Sequence, residues 1–273
     1  MLERYDRDAE RYLRWWAPVL APTASRLLDE LEPFMEETGI VRILDVGAGT
    51  GNLTIGALER WPQTVVTAVD GSSGMLKRAE TEVKSRLGGA GLERIEFVVS
   101  RAEELPFADG SFDLAVSSFV FQLLSDRPAA FREVWRVLKP GGRLGFVTWQ
   151  FDDSPFAPDR VFDDALDEID FEESDGPEET RSGDFTSPAA AAAQLRRTGF
   201  RNVRARTDWL EHRFDEPGFL GFLENYDEHV LFESLEPKRR ARLRSVTEKG
   251  LAKLAPDEFL WRRKVVVAVA QRP

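Results

Sequence analysis

A glycine-rich turn after a buried strand is the feature that most constrains how this 273-residue chain can fold. Ile43 to Val46 predict the strand, and Gly47, Gly49 and Gly51 stand at alternate positions in the turn that follows. Glycine has no Cβ, so the turn can adopt positive φ angles and bring bare backbone against a ligand. A helix that begins here presents unpaired N–H groups and a partial positive charge. The segment therefore predicts a strand–turn–helix unit with a small-molecule site, in preference to a tight connection without a ligand.

The spacing of the glycines separates two classes of binding site. The dinucleotide fingerprint is G-x-G-x-x-G, in which the third glycine stands three places after the second. Here Asn52 occupies that place, Gly51 comes one residue early, and Asp45 precedes the first glycine. The pattern D-x-G-x-G-x-G therefore argues against a nucleotide-dependent oxidoreductase.

Strand and helix patterns alternate along the chain. The predicted strands cover 41–46, 64–69, 95–99, 113–119, 143–149, 203–209 and 265–269, and the predicted helices cover 52–60, 73–86, 127–138 and 188–198, with two more across 216–254. Such alternation of apolar strands with helices implies a doubly wound α/β fold, with a mostly parallel seven-stranded sheet and helices on both faces.

The chain is expected to form one domain built from four segments. These are N-terminal helices over 1–40, a cofactor-binding core over 41–150, an acidic and helical insertion over 151–255, and a closing strand over 256–273. The acidic part, 152–184, contains Asp163, Asp164, Asp170, Glu172 and Glu173. It predicts a solvated loop with one short helix near 159–169.

The N-terminal segment carries a group of aromatic residues. Residues 3–37 predict two helices, with a break near Pro18 to Pro22, and Tyr5, Tyr12 and Trp16 fall on one helical face. These rings can form a core-facing stripe or an aromatic lid over a bound ligand, and both roles can hold at once.

Composition excludes several classes of function. Lys and Arg total 37 against 48 Asp and Glu, a net charge of −11, so no basic face for nucleic acid is indicated. The absence of cysteine and the presence of only 2 histidines exclude disulfides, thiolate metal sites and multi-histidine metal sites. The charged beginning is not a signal-peptide pattern, and no apolar run approaches the ~20 residues of a membrane span. We expect a cytoplasmic protein without a metal; the oligomeric state is open.

Further sequence motifs follow the glycine turn at the ends and beginnings of the predicted strands. Asp70 ends the second predicted strand, Arg101 to Phe107 follow the third, Ser111 to Ala115 open the fourth, and Val134 to Leu144 lead into the fifth. Together with the turn, they resemble class I S-adenosylmethionine-dependent methyltransferases, in the small-molecule branch that includes quinone-biosynthesis C-methyltransferases. The resemblance is strong over 40–150, weaker over 184–272, and absent over 152–184.

The resemblance implies a Rossmann-like methyltransferase fold, S-adenosylmethionine as cofactor, and methyl transfer to a small organic acceptor through an O, N or C nucleophile. It implies that Asp70 holds the ribose, although a helix N-cap role for Asp70 is an alternative. The cofactor-binding residues that it implies are Tyr5, Tyr12, Trp16, Asp45, Gly47, Ala48, Gly49, Gly51, Asn52, Asp70, Gly71, Ser72, Met75, Arg101, Ala102, Glu103, Ser118 and Phe119. A non-catalytic relative that binds the cofactor weakly or serves as an interaction module is the alternative.

The chain departs from the family pattern at two positions. Arg101 stands where the family commonly has Asp, and a guanidinium cannot accept a bond from the adenine amino group. The Ala102 amide could still reach the ring, and Arg101 could stack on it. Gln122 stands where many relatives have His, so no dedicated general base is evident, and His212 and His229 are only weak catalytic candidates.

The segment after the fourth predicted strand also bears on the acceptor. Residues 117–120 read Ser-Ser-Phe-Val, in place of an Asn-Pro-Pro-Tyr-like motif. This argues against amino-methylation of nucleic-acid bases.

Overall fold

The computed structural model describes residues 2–39, 41–171 and 181–273. Glu172 and Glu173 of the predicted acidic loop lie outside these ranges. The chain divides into two compact units, the first comprising Met1–Phe151, Glu179–Asp208 and Lys264–Pro273, the second Asp152–Glu178 and Trp209–Arg263. The four-segment, single-domain organisation drawn from the sequence stays a prediction.

The described residues form a seven-stranded sheet. Its strands are β1 (Arg42–Val46), β2 (Val65–Asp70), β3 (Ile95–Val99), β4 (Phe112–Ser118), β5 (Leu138–Trp149), β6 (Arg201–Arg213) and β7 (Leu260–Gln271). The order across the sheet is β3-β2-β1-β4-β5-β7-β6. The strands from β3 to β5 pair in parallel, whereas β7 is antiparallel to β5. The predicted doubly wound, mostly parallel fold is confirmed.

Helices occur in both units. The first unit contains α1 (Leu2–Arg11), α2 (Ala17–Thr38), α3 (Asn52–Arg60), α4 (Ser73–Leu92), α5 (Arg127–Val137) and α7 (Pro188–Thr198). The second contains α6 (Ala157–Glu168), α8 (Glu216–Phe222), α9 (His229–Ser234) and α10 (Pro237–Leu251). The two helices predicted across 216–254 are three, because a π-helical turn at Leu223–Asp227 separates α8 from α9 and residues 235–236 separate α9 from α10.

The predicted break near Pro18 to Pro22 is wrong. The helical run is interrupted earlier, by a π-helical turn at Tyr12–Trp16, and α2 continues through Pro22. Pro18 lies in the first turn of α2, where a backbone N–H has no intrahelical partner to lose. Pro22 removes one hydrogen bond at a cost of ~3 kcal/mol. Burial of several large side chains on the same helix, among them Leu27 and Leu31, offsets that cost.

The main core lies between the sheet and helices α5 and α7. Phe121, Phe131 and Phe146 are fully buried there, with their ring centroids 4.6 to 5.7 Å apart. Because β1, β2 and β4 are parallel, their carboxyl ends meet at one edge of the sheet, which is where α/β proteins of this type bind ligands. No helix among the described residues combines the length and apolar character needed to cross a membrane.

Candidate active site

The glycine turn follows β1 and has the backbone geometry that its sequence predicts. Gly47, Gly49 and Gly51 have φ angles of 71°, 55° and 92°, a region in which other residues are strained. The Gly47 amide donates to the Val69 carbonyl at 2.7 Å. A Cβ on Gly47 would lie 2.3 Å from a methyl carbon of Val120, whereas a Cβ on Gly49 would enter open space. Gly47 is therefore required by packing, and Gly49 leaves room for a ligand.

Asp70 links the glycine turn to the next one. Its Oδ2 accepts a hydrogen bond from the Gly49 amide at 2.9 Å, and its Oδ1 accepts one from the Ser72 amide at 2.8 Å. Burial raises the pKa of Asp70 above its usual range. The N-cap of α4 is Ser72, whose Oγ accepts from the Met75 amide, so the alternative that Asp70 is the cap is wrong.

Asp45 is a second carboxyl at the same edge, and unlike Asp70 it is buried. Its side chain is 1% exposed, and its Oδ2 accepts a 2.6 Å bond from the Thr54 hydroxyl. Its Oδ1 has no hydrogen-bond partner within the described part of the chain. Burial, with a smaller contribution from the charge of Asp70, raises the pKa of Asp45 to about 7. Asp45 lines a small cavity of about 30 Å³ beside the turn.

A larger cavity of about 460 Å³ opens at this edge, and we refer to it as the main cavity. It contains most of the predicted site residues: Tyr5, Tyr12, Gly47, Gly49, Asp70, Gly71, Met75, Arg101, Ala102, Glu103, Ser118 and Phe119. It is also lined by Ser100, Val120, Leu123, Leu124 and Ser125, which the sequence analysis missed. Most of these residues follow β4. Their position after the carboxyl end of a central strand is the sequence feature that could have predicted them as site residues.

Six predicted site residues do not line the main cavity. Asp45, Ala48 and Asn52 line the small cavity, which shares Tyr12, Gly47, Gly49 and Ser118 with the main one. Ser72 is fully buried and donates its hydroxyl to Asp6, and a Cβ on Gly51 would lie 3.2 Å from that of Ala79. Ser72 and Gly51 therefore contact other residues of the protein and do not line either cavity.

Trp16 is the sixth of these residues. Its ring lies 6.3 Å from that of Trp149, whereas the rings of Tyr5 and Tyr12 lie 6.1 Å apart at the main cavity. Trp16 ends the π-helical turn, which is wound differently from an α-helix and changes the direction of the residues that follow. The structure thus brings two of the three predicted lid rings to the cavity.

The segment after β3 supplies one side of the main cavity. Ala102 is 7% exposed, whereas the Arg101 side chain is largely exposed and its Nη2 lies 3.5 Å from a carboxylate oxygen of Glu103. The Glu103 side chain is only 14% exposed. Arg101 is therefore oriented by a carboxylate that itself lines the cavity.

Phe119 forms another wall in an unusual conformation. Its φ angle is 57°, its amide donates to the Val147 carbonyl at 2.8 Å, and its own carbonyl accepts from the Gln122 side-chain amide at 2.7 Å. The Thr148 hydroxyl donates to the other end of Gln122. Strained backbone of this kind persists only where the surroundings hold it. Gln122 supports the cavity wall here, and an amide cannot act as a general base.

Comparison with known proteins gives the family. A family model described as a methyltransferase domain matches residues 43–142. The malonyl-[acyl-carrier protein] O-methyltransferase of Geobacter sulfurreducens is 36% identical over 207 residues, which are 75% of this chain and 72% of that protein. The chain belongs to the S-adenosylmethionine-dependent methyltransferases.

Other relatives match this methyltransferase over shorter stretches. A ubiquinone/menaquinone biosynthesis C-methyltransferase of Methylobacterium nodulans is 36% identical over 140 residues, covering 51% of this chain and 53% of that protein. The chain therefore spans about half the length of that relative.

Solved structures agree on the fold of the methyltransferase. The [4+2]-cyclase SpnF superposes with a TM-score of 0.56 at 21% identity, over 91% of this chain and 80% of that one. A Haemonchus contortus phosphoethanolamine N-methyltransferase in complex with S-adenosyl-L-methionine gives a TM-score of 0.52 at 20% identity, over 90% and 52%. At these identities, only the fold is shared.

Both histidines of the methyltransferase lie in the second unit. His229 is buried, and its Nδ1 lies 2.6 Å from the Tyr226 carbonyl. The His212 ring packs on Phe214 at 4.4 Å, and burial lowers the pKa of His212. Neither is among the lining residues of the main cavity, all of which belong to the first unit. A catalytic role for either stays a hypothesis.

Proposed function

We propose that the first unit binds S-adenosylmethionine in the main and small cavities and transfers its methyl group to a small organic acceptor with an apolar body. The observation that carries this proposal is the pair of carboxyls on either side of the glycine turn, the buried Asp45 and the partly exposed Asp70. When bound, the cofactor supplies an electrophilic methyl group on a sulfonium. The chain's own residues bind it, orient it and exclude water.

Asp70 would hold the ribose. A carboxylate offers about four lone-pair sites on its two oxygens. Two of them accept the Gly49 and Ser72 amides, so each oxygen retains capacity for one more donor. Two neighbouring hydroxyl groups match that remaining capacity, and the two amide bonds keep the carboxylate oriented before the cofactor arrives.

Asp45 and the glycine turn would hold the methionine part. A buried carboxylate oxygen without a donor is costly, so the Oδ1 of Asp45 calls for a positively charged or N–H group. The methionine ammonium is such a group. The open space at Gly49 would allow the ligand to lie against the backbone, and the N-terminus of α3 would favour its carboxylate.

Ala102, Met75 and the ion pair of Arg101 with Glu103 would surround the adenine. Arg101 cannot accept a hydrogen bond from the adenine amino group, but the Glu103 carboxylate can, and it lies in the cavity lining. We propose that Glu103 takes this role and that Arg101 stacks on the ring.

The acceptor would lie against the wall formed by Phe119, Val120, Leu123 and Leu124, which is apolar. Among the described residues that line the cavity, none is a histidine, lysine or cysteine. A nucleophile that is already ionised near neutral pH needs no general base, and alignment alone can lower a barrier by up to ~7–11 kcal/mol. The named relatives are a malonyl-[acyl-carrier protein] O-methyltransferase and a C-methyltransferase of ubiquinone/menaquinone biosynthesis, so malonyl and quinone-type compounds are candidates for the acceptor.

Thermal unfolding with three ligands tests the cofactor. A ligand at ~100 times its dissociation constant adds ~2.7 kcal/mol to the free energy of unfolding. We expect S-adenosylmethionine and its demethylated product to raise the unfolding temperature and NAD to leave it unchanged. A shift with NAD alone would discard the proposal.

Transfer of a labelled methyl group tests the reaction. The candidate acceptors that are tested include a malonyl thioester and a demethylated quinol. We expect the label to appear in at least one small molecule. The Glu103→Ala variant should bind the demethylated product more weakly, whereas Glu104→Ala, its neighbour outside the cavity lining, should not. Cofactor binding without transfer to any member of a broad acceptor panel would favour the non-catalytic alternative.

A further inference from the structure

A second concave site lies in the first unit, at the end of the sheet opposite the cofactor cavity. It has a volume of about 620 Å³ and is lined by residues of β5, α7, β6 and β7. Three of them are arginines, Arg143, Arg196 and Arg204, and none of the described residues that line it is acidic. We refer to this site as the arginine groove.

The position of the arginine groove follows from the strand register. Arg143 pairs with Leu114 near the start of β4, whereas Ser118, at the end of β4, lines the main cavity. On the other side, Arg143 pairs with Gln271, at the end of the antiparallel β7. Ser118 pairs with Val147, which lies four residues along β5 from Arg143, a distance of about 13 Å at ~3.3 Å per residue. The groove is therefore separate from the cofactor cavity.

No carboxylate of the described residues forms an ion pair with any of the three guanidinium groups. Arg143 lies over the Phe34 ring at 4.6 Å, and Arg196 makes only a long bond of 3.5 Å to the Val203 carbonyl. Arg206, on the same strand as Arg204, by contrast pairs with Glu30 at 2.6 Å.

Packed and hydrogen-bonded residues of the strands form part of the groove. The floor of the groove includes Val269 and Ala270, which are at most 5% exposed. At its side, the Asn202 amide donates to the Gln271 side chain at 2.7 Å, and Asn202 adopts a φ angle of 50°. Gln271 donates in turn to the Gly141 carbonyl at 3.2 Å. These bonds hold the edge strands together and thereby give the groove a defined shape.

We propose that the arginine groove binds a small molecule that carries two or three linked phosphates. A guanidinium fork matches phosphate oxygens in a bidentate manner. A terminal phosphate carries about −1.5 to −2 charges and a phosphate linked on both sides carries about −1, so a diphosphate or triphosphate balances three guanidinium groups, whereas a monocarboxylate would not. The protein's net charge of −11 disfavours a long polyanion, because such a chain would extend from the groove over an acidic surface.

Calorimetry on the full chain, saturated with the demethylated cofactor product, tests the proposal. The titrants are inorganic tripolyphosphate, ADP and a hexaglutamate peptide, each at low and high salt. We expect saturable binding of tripolyphosphate that weakens with salt. Pyrophosphate is titrated beside ADP: tighter binding of ADP would identify a nucleotide that uses the apolar floor, and equal binding would identify the phosphates alone. Tighter binding of hexaglutamate would overturn the proposal in favour of an acidic protein segment.

Matched variants of arginines on α7 and β6 test whether the ligand binds in the arginine groove. The double change Arg196→Gln with Arg204→Gln should weaken tripolyphosphate binding at least tenfold. Arg197→Gln, an exposed neighbour on the same helix that is outside the groove lining, should weaken it less than twofold. Affinity for the demethylated product should be the same in all variants. Equal weakening by Arg197→Gln, or the absence of saturable binding to the unaltered protein, would overturn the proposal.

Discussion

At the scale of single residues, Asp70 has a structural role in addition to its proposed role in cofactor binding. Each of its oxygens accepts one backbone amide, one from the glycine turn and one from the turn that begins α4. The carboxylate therefore fixes the distance between the two turns. Any ligand hydroxyl that it accepts meets an acceptor that is already oriented.

The change Asp70→Ala tests this role. Loss of hydrogen bonds to a charged group costs roughly 1.5–3 kcal/mol, so affinity for the demethylated cofactor product should fall at least tenfold while the chain remains folded. Calorimetry measures the affinity, and thermal unfolding checks the fold. The matched control is Asp113→Ala, because Asp113 also accepts a backbone amide, that of Arg42 at 2.9 Å, but lies outside the cavity lining. Unchanged affinity in Asp70→Ala would leave Asp70 with a structural role alone.

Asp45 makes stability depend on pH. Its pKa is raised from 3.8 to about 7 in the folded chain, whereas an unfolded chain has a pKa near ~3.9. The folded state thus binds the extra proton between these two values, so the free energy of unfolding should fall as pH rises through that window and level off above it.

Urea unfolding between pH 5 and pH 8 measures this dependence. Asp45→Asn removes the titrating group, so its stability relative to the unaltered protein should increase as pH rises. Glu59→Gln, which changes an exposed carboxyl on α3, should follow the unaltered protein at every pH. Parallel pH profiles for Asp45→Asn and the unaltered protein would contradict the expectation.

At the scale of elements, α1 is held against the start of α4 by a small set of contacts. The Asp6 carboxylate accepts bonds from the Ser72 hydroxyl at 2.6 Å and from the Gly74 amide at 2.7 Å. These bonds lower the pKa of Asp6. A Cβ on Gly74 would lie 2.6 Å from the Asp6 carbonyl oxygen, so α1 can approach α4 this closely only because residue 74 is glycine.

This contact gives a test of the lid hypothesis for Tyr5 and Tyr12. A lid comes from the low-stability part of a structure, so the amides of residues 3–16 should exchange more slowly with the demethylated product bound than without it. Hydrogen exchange measured by mass spectrometry makes the comparison. Equal and strong protection in both states would leave the helix with a packing role only.

A pair of variants on α4 strengthens the same test. Gly74→Ala should displace α1, speed up its exchange and weaken cofactor binding, although residue 74 does not line the cavity. Gly89→Ala changes the same helix at a position where a Cβ meets open space, and it should leave exchange and binding unchanged. Identical behaviour of the two variants would show that α1 docking does not control the site.

At the scale of the whole molecule, the net charge of −11 disfavours a nucleic-acid partner. Non-specific nucleic-acid binding depends on lysine and arginine contacts to many phosphates, and a surface with an excess of carboxylates opposes it. Fluorescence anisotropy with a labelled DNA duplex at physiological salt should therefore show no binding tighter than about 10⁻⁴ M. The labelled methyl group should likewise not appear in DNA or RNA, and methylation of either would contradict a small-molecule acceptor.

Much of the site could be predicted from the sequence because its signals are local. Gly47 and Gly49 have positive φ angles at the end of β1, and Asp70 ends the neighbouring strand, as the spacing of the motifs predicts. Alternation of apolar strands with helices specifies a parallel sheet, and a parallel sheet brings the ends of its central strands together. The lining residues Ser100 and Val120 follow strand ends as well, but they carry no motif and were not predicted.

Only the tertiary structure decided the features that depend on distant parts of the chain. The Trp16 ring lies beside that of Trp149, whereas Tyr5 and Tyr12 line the main cavity. The π-helical turn is the reason, because a change of helical winding shifts the direction of every residue after it. The arginine groove joins side chains as far apart in sequence as Arg143 and Arg204, because the antiparallel β7 is placed between β5 and β6. Strand order across a sheet is set by packing of the whole unit, and no local pattern in the sequence specifies it.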